Sequence, residues 1–150
     1  MGRTYTQLLN HIVFSTKDRA PLLTPDLRTR LFPYMGGIVR NLDGVALSIN
    51  GVADHVHVLA SLPATAALSD LVGKLKANSS KWVHETLPEH ATFRWQLGYA
   101  AFSVSSSQKE TVLKYIAGQQ EHHRAMSFQD ELLAFLKRHE IEYDERYVFE

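Results

Sequence analysis

A short, strand-like stretch with the sequence VADHVHVLASL, residues 52–62, carries two histidines separated by a single valine. Successive side chains of a β-strand point to opposite faces of the sheet. His55 and His57 therefore share one face, about 7 Å apart along the strand, and Val56 lies on the other face. This spacing suits a single metal ion held by both imidazole rings.

A tyrosine and a glutamine form a second candidate group in the stretch KYIAGQQEHH, residues 114–123. Tyr115 and Gln119 lie four residues apart, so they share a face of the predicted helix beside its apolar stripe, and His122 extends the line. Gln120, by contrast, points toward the apolar stripe. The spacing presents a tyrosine hydroxyl beside an amide oxygen, which is the arrangement required if Gln119 binds a metal whose substrate ligand Tyr115 attacks, although Tyr115 taken alone is equally an ordinary residue of an amphipathic helix.

The composition predicts a single globular domain over residues 1–150, because 45% of the chain is hydrophobic and 21% is charged. Cysteine is absent, which excludes disulfides and thiolate metal sites, so a metal needs ligands from His, Asp, Glu, Gln or water. No apolar stretch is long enough to span a membrane, and the start of the chain, MGRTYTQLLNH, lacks the apolar core of a signal peptide. We therefore expect a cytoplasmic protein.

The charge balance gives no general support for nucleic-acid binding, since 16 basic residues match 16 acidic residues and the formal net charge is zero. Such binding would have to rely on local patches. Trp95, in the stretch FRWQLGY, is a candidate for stacking on an unpaired base. The basic candidates follow the first predicted strand, occupy the second predicted helix or adjoin the tryptophan: Lys17, Arg19, Lys74, Lys76, Lys81 and Arg94.

Changes in hydrophobic periodicity outline the first half of the fold. The alternating stretch TQLLNHIVFST predicts a strand. A helix follows with Thr24 as its N-cap and Pro25 at its first position, and Pro33 is expected to kink it. Two strands then form a hairpin, with Asn50 and Gly51 at or just before the bend.

The second half continues with a helix of strong 3.6-residue period from Leu68 to Val83 and a strand at GYAAFSVS. Ser107 and Glu110 have capping-box spacing at the start of the helix that carries the tyrosine. A last helix covers SFQDELLAFLKRH. The order of elements predicts an α+β, ferredoxin-like split βαβ fold: an antiparallel sheet with helices on one face, and the tyrosine helix over the histidines on the other.

Five strings carry a family resemblance over nearly the whole chain: HIVFSTKDR, ADHVHVLASL, LKANSSKWV, WQLGYAAFSVS and YIAGQQEHHRAMSFQDEL. They resemble the HUH-type single-tyrosine transposases of the insertion-sequence-200/605 group and their repeat-associated relatives. The family's histidine pair matches His55 and His57. Its nucleophilic tyrosine matches Tyr115, and its glutamine one helical turn later matches Gln119. The catalytic positions do not depart from the family's pattern.

The resemblance implies a transposase that cleaves and rejoins single-stranded DNA at hairpin-flanked element ends through a 5′-phosphotyrosine intermediate. His55, His57 and Gln119 would hold a divalent ion, and imidazole ligands make Mn²⁺ as suitable as Mg²⁺. Tyr115 would be the nucleophile. The resemblance also implies a homodimer in which the tyrosine helix of one subunit completes the site of the other, and a protein that is nucleoid-associated when it is bound to DNA.

Two other functions compete with the transposase. A host-adopted, repeat-associated protein would bind hairpin DNA with little or no transposition activity. A ferredoxin-like metal or small-molecule module would bind metal without forming a DNA adduct. An ordinary structural role is the alternative for each of these residues. His11, His122 and His123 either face the site or bond to local polar groups. The lysines of the second helix either contact DNA or form a solvated face.

Overall fold

A four-stranded antiparallel sheet organises the chain in the computed structural model, which describes residues 2–150. The elements in chain order are β1 (Leu9–Ser15), α1 (Pro25–Asn41), β2 (Val45–Gly51), β3 (His55–Ser61), α2 (Leu68–Thr86), β4 (Ala100–Val104), α3 (Lys109–Ala117), α4 (Gln119–His122) and α5 (Phe128–Arg138). The strands lie in the order β2-β3-β1-β4. This connectivity is the ferredoxin-like arrangement, so the predicted fold class is confirmed.

One face of the sheet packs against α1 and α2. Phe14 of β1 and Val58 of β3 are fully buried there, in one apolar cluster with Leu75 of α2. The Thr24 side chain caps α1 by accepting a hydrogen bond from the Leu27 N–H at 3.2 Å, as the sequence predicts. The helix continues through the proline at position 33, so the expected kink does not end it.

The opposite face is covered by α3 and α5. Ile116 of α3 packs against Leu59 of β3. Phe128 and Phe135 of α5 pack with Phe102 of β4. The tyrosine helix over this face agrees with the expectation, but α5 also closes it, so the histidine face is not open to solvent as a bare sheet would be.

The hairpin between β2 and β3 turns over residues 52–54, immediately after Gly51. A Cβ atom at Gly51 would clash with the backbone carbonyl oxygen of His55. Glycine therefore allows β2 to approach β3 closely at the point where the first histidine begins its strand.

The tyrosine helix differs from the prediction in two ways. Its start has no side-chain cap, because the Ser107 hydroxyl pairs with the Ser105 hydroxyl at 2.9 Å inside a 3₁₀ turn, so the predicted capping box is wrong. The helix also breaks at Gly118, and Gln119 begins the separate, four-residue α4. None of the helices within residues 2–150 is long and apolar enough to cross a membrane.

Candidate active site

The histidine pair lies on β3, on the sheet face that α3 and α5 cover. His55 and His57 are both fully buried, and their ring centroids are 5.1 Å apart. Val56 and Val58 point into the opposite, apolar core, so the period-two prediction for this strand is confirmed.

A carboxylate from α5 meets the two rings. Glu131 Oε1 lies 3.2 Å from His55 Nε2 and 2.8 Å from His57 Nε2. His123, which follows α4, brings a third ring nitrogen to 3.1 Å from the same oxygen. One ligand atom from each of these four residues lies within 4.8 Å of the other three, although β3 and α5 are 74 residues apart at the His57 contact.

Two of the rings use their Nδ1 atoms for hydrogen bonds on the side away from the cluster, so their Nε2 atoms face it. His55 Nδ1 donates to Asp54 Oδ1 at 2.7 Å, and His123 Nδ1 donates to the carbonyl oxygen of Met126 at 2.6 Å. The Nε2 atom of a neutral ring in this tautomer carries a lone pair. His123 Nε2 is buried without hydrogen-bond geometry to any partner. A lone pair that faces the Glu131 carboxylate is repelled by it, so each close N···O contact needs either a proton or a metal ion between the two atoms.

His11 of β1 contacts the His57 ring on the side away from Glu131. Its Nε2 atom lies 2.7 Å from His57 Nδ1. Burial lowers the pKa of His11 to about 3 and that of His57 to about 4, so both rings are neutral at physiological pH. When the shared proton lies on His57 Nδ1, the Nε2 atom of His57 is free for a metal, which is the usual role of such an outer hydrogen bond.

Glu131 and His55 each favour the charged form of the other. Burial alone would raise the pKa of Glu131, but the three imidazole rings beside it, those of His123, His55 and His57, outweigh burial and lower that pKa far below its usual range. Burial alone would lower the pKa of His55, but its bonds to Asp54 and Glu131 raise it. In the metal-free site these bonds therefore favour an ionised Glu131 carboxylate and make His55 easier to protonate than burial alone would allow.

The tyrosine and the glutamine both reach this cluster despite the break between their helices. The hydroxyl group of Tyr115 donates to Glu131 Oε2, and the ring stacks on His122 with centroids 4.5 Å apart. Burial and the carboxylate raise the pKa of Tyr115, so the phenol keeps its proton in the metal-free state. Gln119 is fully buried, with Oε1 at 3.2 Å from His55 Nε2.

The structure thus brings together the four predicted residues, His55, His57, Tyr115 and Gln119, and adds two that the sequence analysis did not assign. Glu131 was detectable as an acid on the apolar side of an amphipathic helix, where an unpaired charge would be costly. His123 stood among the open alternatives, and it contacts the site.

The residues present fit a divalent metal ion. Imidazole nitrogens, a carboxylate oxygen and an amide oxygen converge on one buried point, and two imidazoles with one carboxylate form a common ligand set for first-row divalent ions. The lone pairs that face each other across the cluster are the observation that favours a bound cation.

The predicted DNA-binding residues lie in two separate places. Lys17 and Arg19 occupy a turn after β1, at the end of the sheet where Ser15 pairs with His55. Lys74 and Lys81 are exposed on α2, on the opposite side of the sheet from the histidines. Only the first pair is near the candidate active site.

Two further basic candidates are engaged within the chain. Lys76 is partly buried, with a pKa lowered by burial to about 8, and its ammonium group donates to the Gly98 carbonyl oxygen at 2.7 Å. Arg94 donates to the carbonyl oxygen of Phe93 at 2.7 Å. Both side chains fasten the segment that leads into β4.

The prediction that Trp95 stacks on a base is wrong. The ring is 8% exposed and packs edge-on against Phe14 and Phe93, each with centroids 4.8 Å away. Its indole N–H donates to the Ser79 hydroxyl at 3.0 Å. Both the faces and the polar edge of the indole are therefore occupied in the core.

Comparison with known proteins identifies the class to which this fold and site belong. Residues 4–119 match the family described as "Transposase IS200 like". The match covers most of the chain, so the protein belongs to the IS200-like transposase family, a family of DNA-processing enzymes.

Particular relatives agree with this class. The chain is 25% identical over 126 residues to the ISDra2 transposase TnpA of Deinococcus radiodurans, covering 80% of this chain and 90% of the relative. The crystal structure of a chain assigned as a transposase from Deinococcus radiodurans R1 matches with a TM-score of 0.63 at 22% identity, over 79% of this chain and 96% of that one.

A REP-associated tyrosine transposase, solved bound to a REP hairpin, matches with a TM-score of 0.60 at 15% identity. The match covers 82% of this chain and 73% of that one. At this identity the likeness supports the fold.

Proposed function

We propose that this protein is a transposase that nicks and rejoins single-stranded DNA at hairpin-flanked element ends, with Tyr115 as its nucleophile. The observation that carries the proposal is the position of Glu131. One of its oxygens lies 2.8 Å from His57 Nε2, and the other accepts the hydrogen bond of the Tyr115 hydroxyl. A single carboxylate thus connects the candidate nucleophile to the candidate metal ligands.

His55, His57, Gln119 and Glu131 would hold the divalent ion, and His123 is within reach of the same position. When bound, Mg²⁺ or Mn²⁺ supplies positive charge that neutralises phosphate oxygens and stabilises the developing charge. The candidate ligands are buried, which strengthens this electrostatic effect.

The tyrosine would form the new bond. The Tyr115 oxygen attacks phosphorus, the bond from phosphorus to the 3′-oxygen breaks, and the products are a 5′-phosphotyrosine and a free 3′-hydroxyl. Glu131 Oε2 orients the phenol and is its nearest proton acceptor. Because the covalent link conserves the phosphodiester bond energy, attack by a second 3′-hydroxyl rejoins the DNA without ATP.

A cavity of about 110 Å³ beside the tyrosine offers a place for the DNA backbone. It is lined by Tyr115, Glu131 and Arg138, among others. The guanidinium group of Arg138 would attract a phosphate next to the phenol. Lys17 and Arg19 would extend the basic surface along the adjacent end of the sheet.

DNA hairpins are the proposed partner. The solved REP-associated tyrosine transposase carries a REP hairpin, and this chain shares its fold. The homodimer implied by the family resemblance stays a prediction, which sedimentation of the protein with and without hairpin DNA tests.

The test is an incubation of the purified protein with labelled single-stranded hairpin DNA from the flanks of its own gene, with Mn²⁺ or Mg²⁺, followed by a denaturing gel. We expect a protein-linked band that chelation of the metal abolishes and that Tyr115→Phe lacks. Phenylalanine keeps the ring and its stacking on His122 while it removes the nucleophilic oxygen.

The denaturing gel, together with a native gel shift on the same DNA and calorimetry of metal binding, separates the competing functions. Hairpin binding without an adduct under either metal would contradict the enzymatic proposal and favour a repeat-associated DNA-binding protein. Metal binding without any affinity for hairpin DNA would favour a metal-binding module.

A further inference from the structure

An imidazole ring covers one face of the candidate nucleophile. The ring of His122 lies on that of Tyr115, with centroids 4.5 Å apart and planes 20° apart. The other rings close to Tyr115 within residues 2–150 meet it at steep angles, such as 89° for Phe135 and 70° for His57. In the described part of the chain, His122 is therefore the neighbour that stacks on the phenol.

The helix break at Gly118 makes this stack possible. The two rings belong to residues seven positions apart. In an uninterrupted α-helix that separation places their backbones about 10 Å apart along the helix axis, which is too far for parallel rings in contact. Because α3 ends at Ala117 and Gly118 interrupts the helix before α4, the rings of Tyr115 and His122 come within stacking distance.

A side chain at position 118 would press on the stacked imidazole. A Cβ atom added to Gly118 would lie 3.2 Å from His122 Nε2, which is closer than ordinary van der Waals contact, and 3.5 Å from the Lys114 carbonyl oxygen. The φ angle of Gly118 is −93°, a value that other residues also adopt, so its backbone conformation does not require glycine. Glycine at this position therefore serves the close approach of the imidazole ring.

The fold gains little from the position of this imidazole. The Nε2 atom of His122 is buried without a hydrogen-bond partner among the described residues. A buried polar atom without a partner costs free energy. The ring makes its stacking contact with Tyr115 in spite of that cost, so its position indicates a role toward the phenol rather than in the core.

The phenol has room to move if the stack is lost. A cavity of about 110 Å³ lies beside Tyr115, and its other lining residues include Met126 and Ala134. Without a neighbour on its face, the phenol ring would be free to turn toward this cavity. Its oxygen would then leave the position in which it contacts Glu131.

We propose that His122 is a positioning residue for the tyrosine nucleophile: its imidazole stacks on the phenol ring, and Gly118 leaves the space that the stack requires. The stack limits rotation of the ring and keeps the Tyr115 oxygen beside Glu131. Attack on phosphorus requires this alignment, so the stack acts on the rate of the chemical step rather than on binding of metal or DNA. The inference rests on the proposed function, because it concerns the residue that forms the phosphotyrosine link.

Two substitutions at position 122 separate stacking from other roles of the imidazole. Each variant is incubated with labelled hairpin DNA and saturating Mn²⁺, and the rate of adduct formation is read from the denaturing gel. We expect His122→Ala to slow adduct formation about tenfold. His122→Phe keeps a flat ring and should restore most of the rate, because the imidazole Nε2 atom has no hydrogen bond to lose.

Metal and DNA binding are the readouts that distinguish positioning from a general loss of structure. Mn²⁺ affinity by calorimetry and hairpin affinity by native gel shift should stay within about twofold of the wild type in both variants. A wild-type adduct rate in His122→Ala would overturn the inference, and so would a His122→Phe variant as slow as His122→Ala. Parallel losses of Mn²⁺ affinity and adduct rate would contradict it too, because the ring would then support the metal cluster.

A pair of glycine substitutions tests the space that the stack requires. Gly118→Ala should slow adduct formation about threefold, because the new methyl group displaces the imidazole from the phenol. Gly73→Ala is the matched control, since Gly73 is exposed on α2 and a Cβ atom there meets nothing within 4 Å. This control should keep the wild-type adduct rate. An equally fast Gly118→Ala variant would contradict the role assigned to the glycine.

A double-mutant cycle connects the two residues. In a chain that already carries His122→Ala, the new methyl group has no imidazole to displace, so Gly118→Ala should slow adduct formation no further. Equal slowing with and without His122 would show that the substitution acts through the helix break, and would overturn the proposed contact. Absence of an adduct from the wild-type protein would overturn the proposed function as well, so the two failures are distinguishable on one gel.

Discussion

On the face covered by α1 and α2, Phe14 and Val58 are buried among other apolar side chains. On the face covered by α3 and α5, His57 and Glu131 are just as inaccessible, yet they are polar and converge on one point. Apolar packing of the first kind stabilises a fold without any ligand. Burying polar groups costs free energy unless they are paired, so a buried cluster of imidazoles around a carboxylate indicates that the second face is organised for binding rather than for stability alone.

The largest expected effect tests whether the two faces are independent. Phe14→Ala should lower the free energy of unfolding by about 3–5 kcal/mol, because it leaves a cavity in the apolar core. Urea denaturation measures this loss. The Mn²⁺ affinity of the protein that remains folded should change by less than about twofold. A parallel collapse of both quantities would show that the two faces act as one unit.

Metal bound at the second face should stabilise the folded protein. Mn²⁺ at 100 times its dissociation constant should raise the free energy of unfolding by about 2.7 kcal/mol, because it binds only the folded site. Thermal denaturation with and without Mn²⁺ measures the gain. His57→Ala removes a central ligand and should abolish most of it. A gain that survives in this variant would place the bound metal elsewhere.

The metal should compete with a proton on His55. Burial lowers the pKa of this ring, but bonds to Asp54 and Glu131 raise it above its ordinary value, so the ring is protonated below that raised pKa and must lose its proton when it binds metal. Mn²⁺ affinity should therefore be nearly constant at higher pH and fall about tenfold for each unit below the pKa.

Calorimetry across the range from pH 5 to about 8.5 measures this dependence. Asp54→Asn provides the comparison, because it removes the charge that helps to raise the pKa of His55, and it should move the fall in affinity to lower pH. An unchanged profile in Asp54→Asn would assign the pH dependence to another group.

The smallest expected effects on stability come from substituting the N-cap residue of one helix on each face of the sheet. Thr24 accepts a hydrogen bond from Leu27 N–H at the start of α1, and Ser127 accepts one from Asp130 N–H at the start of α5. Thr24→Ala and Ser127→Ala should each cost about 1 kcal/mol of stability in denaturation. Only Ser127→Ala should also weaken Mn²⁺ binding, since α5 carries Glu131. Equal effects of the two substitutions on Mn²⁺ binding would break the distinction between the faces.

Much of the site was predictable because the sequence patterns that indicate it involve residues only a few positions apart. The alternation around Val56 assigned His55 and His57 to one side of a strand, and that assignment needs only the pleat of the backbone. The separation of Tyr115 and Gln119 predicted neighbouring positions, and both side chains reach the cluster even though Gly118 breaks the helix between them.

Other predictions failed because they depended on distant partners. Trp95 has the composition of a base-stacking residue, but Phe14 and Phe93 enclose it from other parts of the chain. Ser107 has capping-box spacing, but its hydroxyl group found a closer partner in Ser105. In both cases the sequence pattern did not reveal which neighbour would compete for the side chain.

The amino-acid sequence by itself determined the order and type of the main elements, the face of β3 on which His55 and His57 lie, and the tyrosine and glutamine that approach them. These features follow from short-range periodicity, which the backbone enforces wherever it forms a strand or a helix. Only the tertiary structure decided that α5 covers that face, that Glu131 joins His57 to Tyr115, and that Asn50 of β2 donates a hydrogen bond to the tyrosine helix. Those contacts depend on how separate elements pack, because their partners are distant in the sequence and meet only when both faces of the sheet are closed.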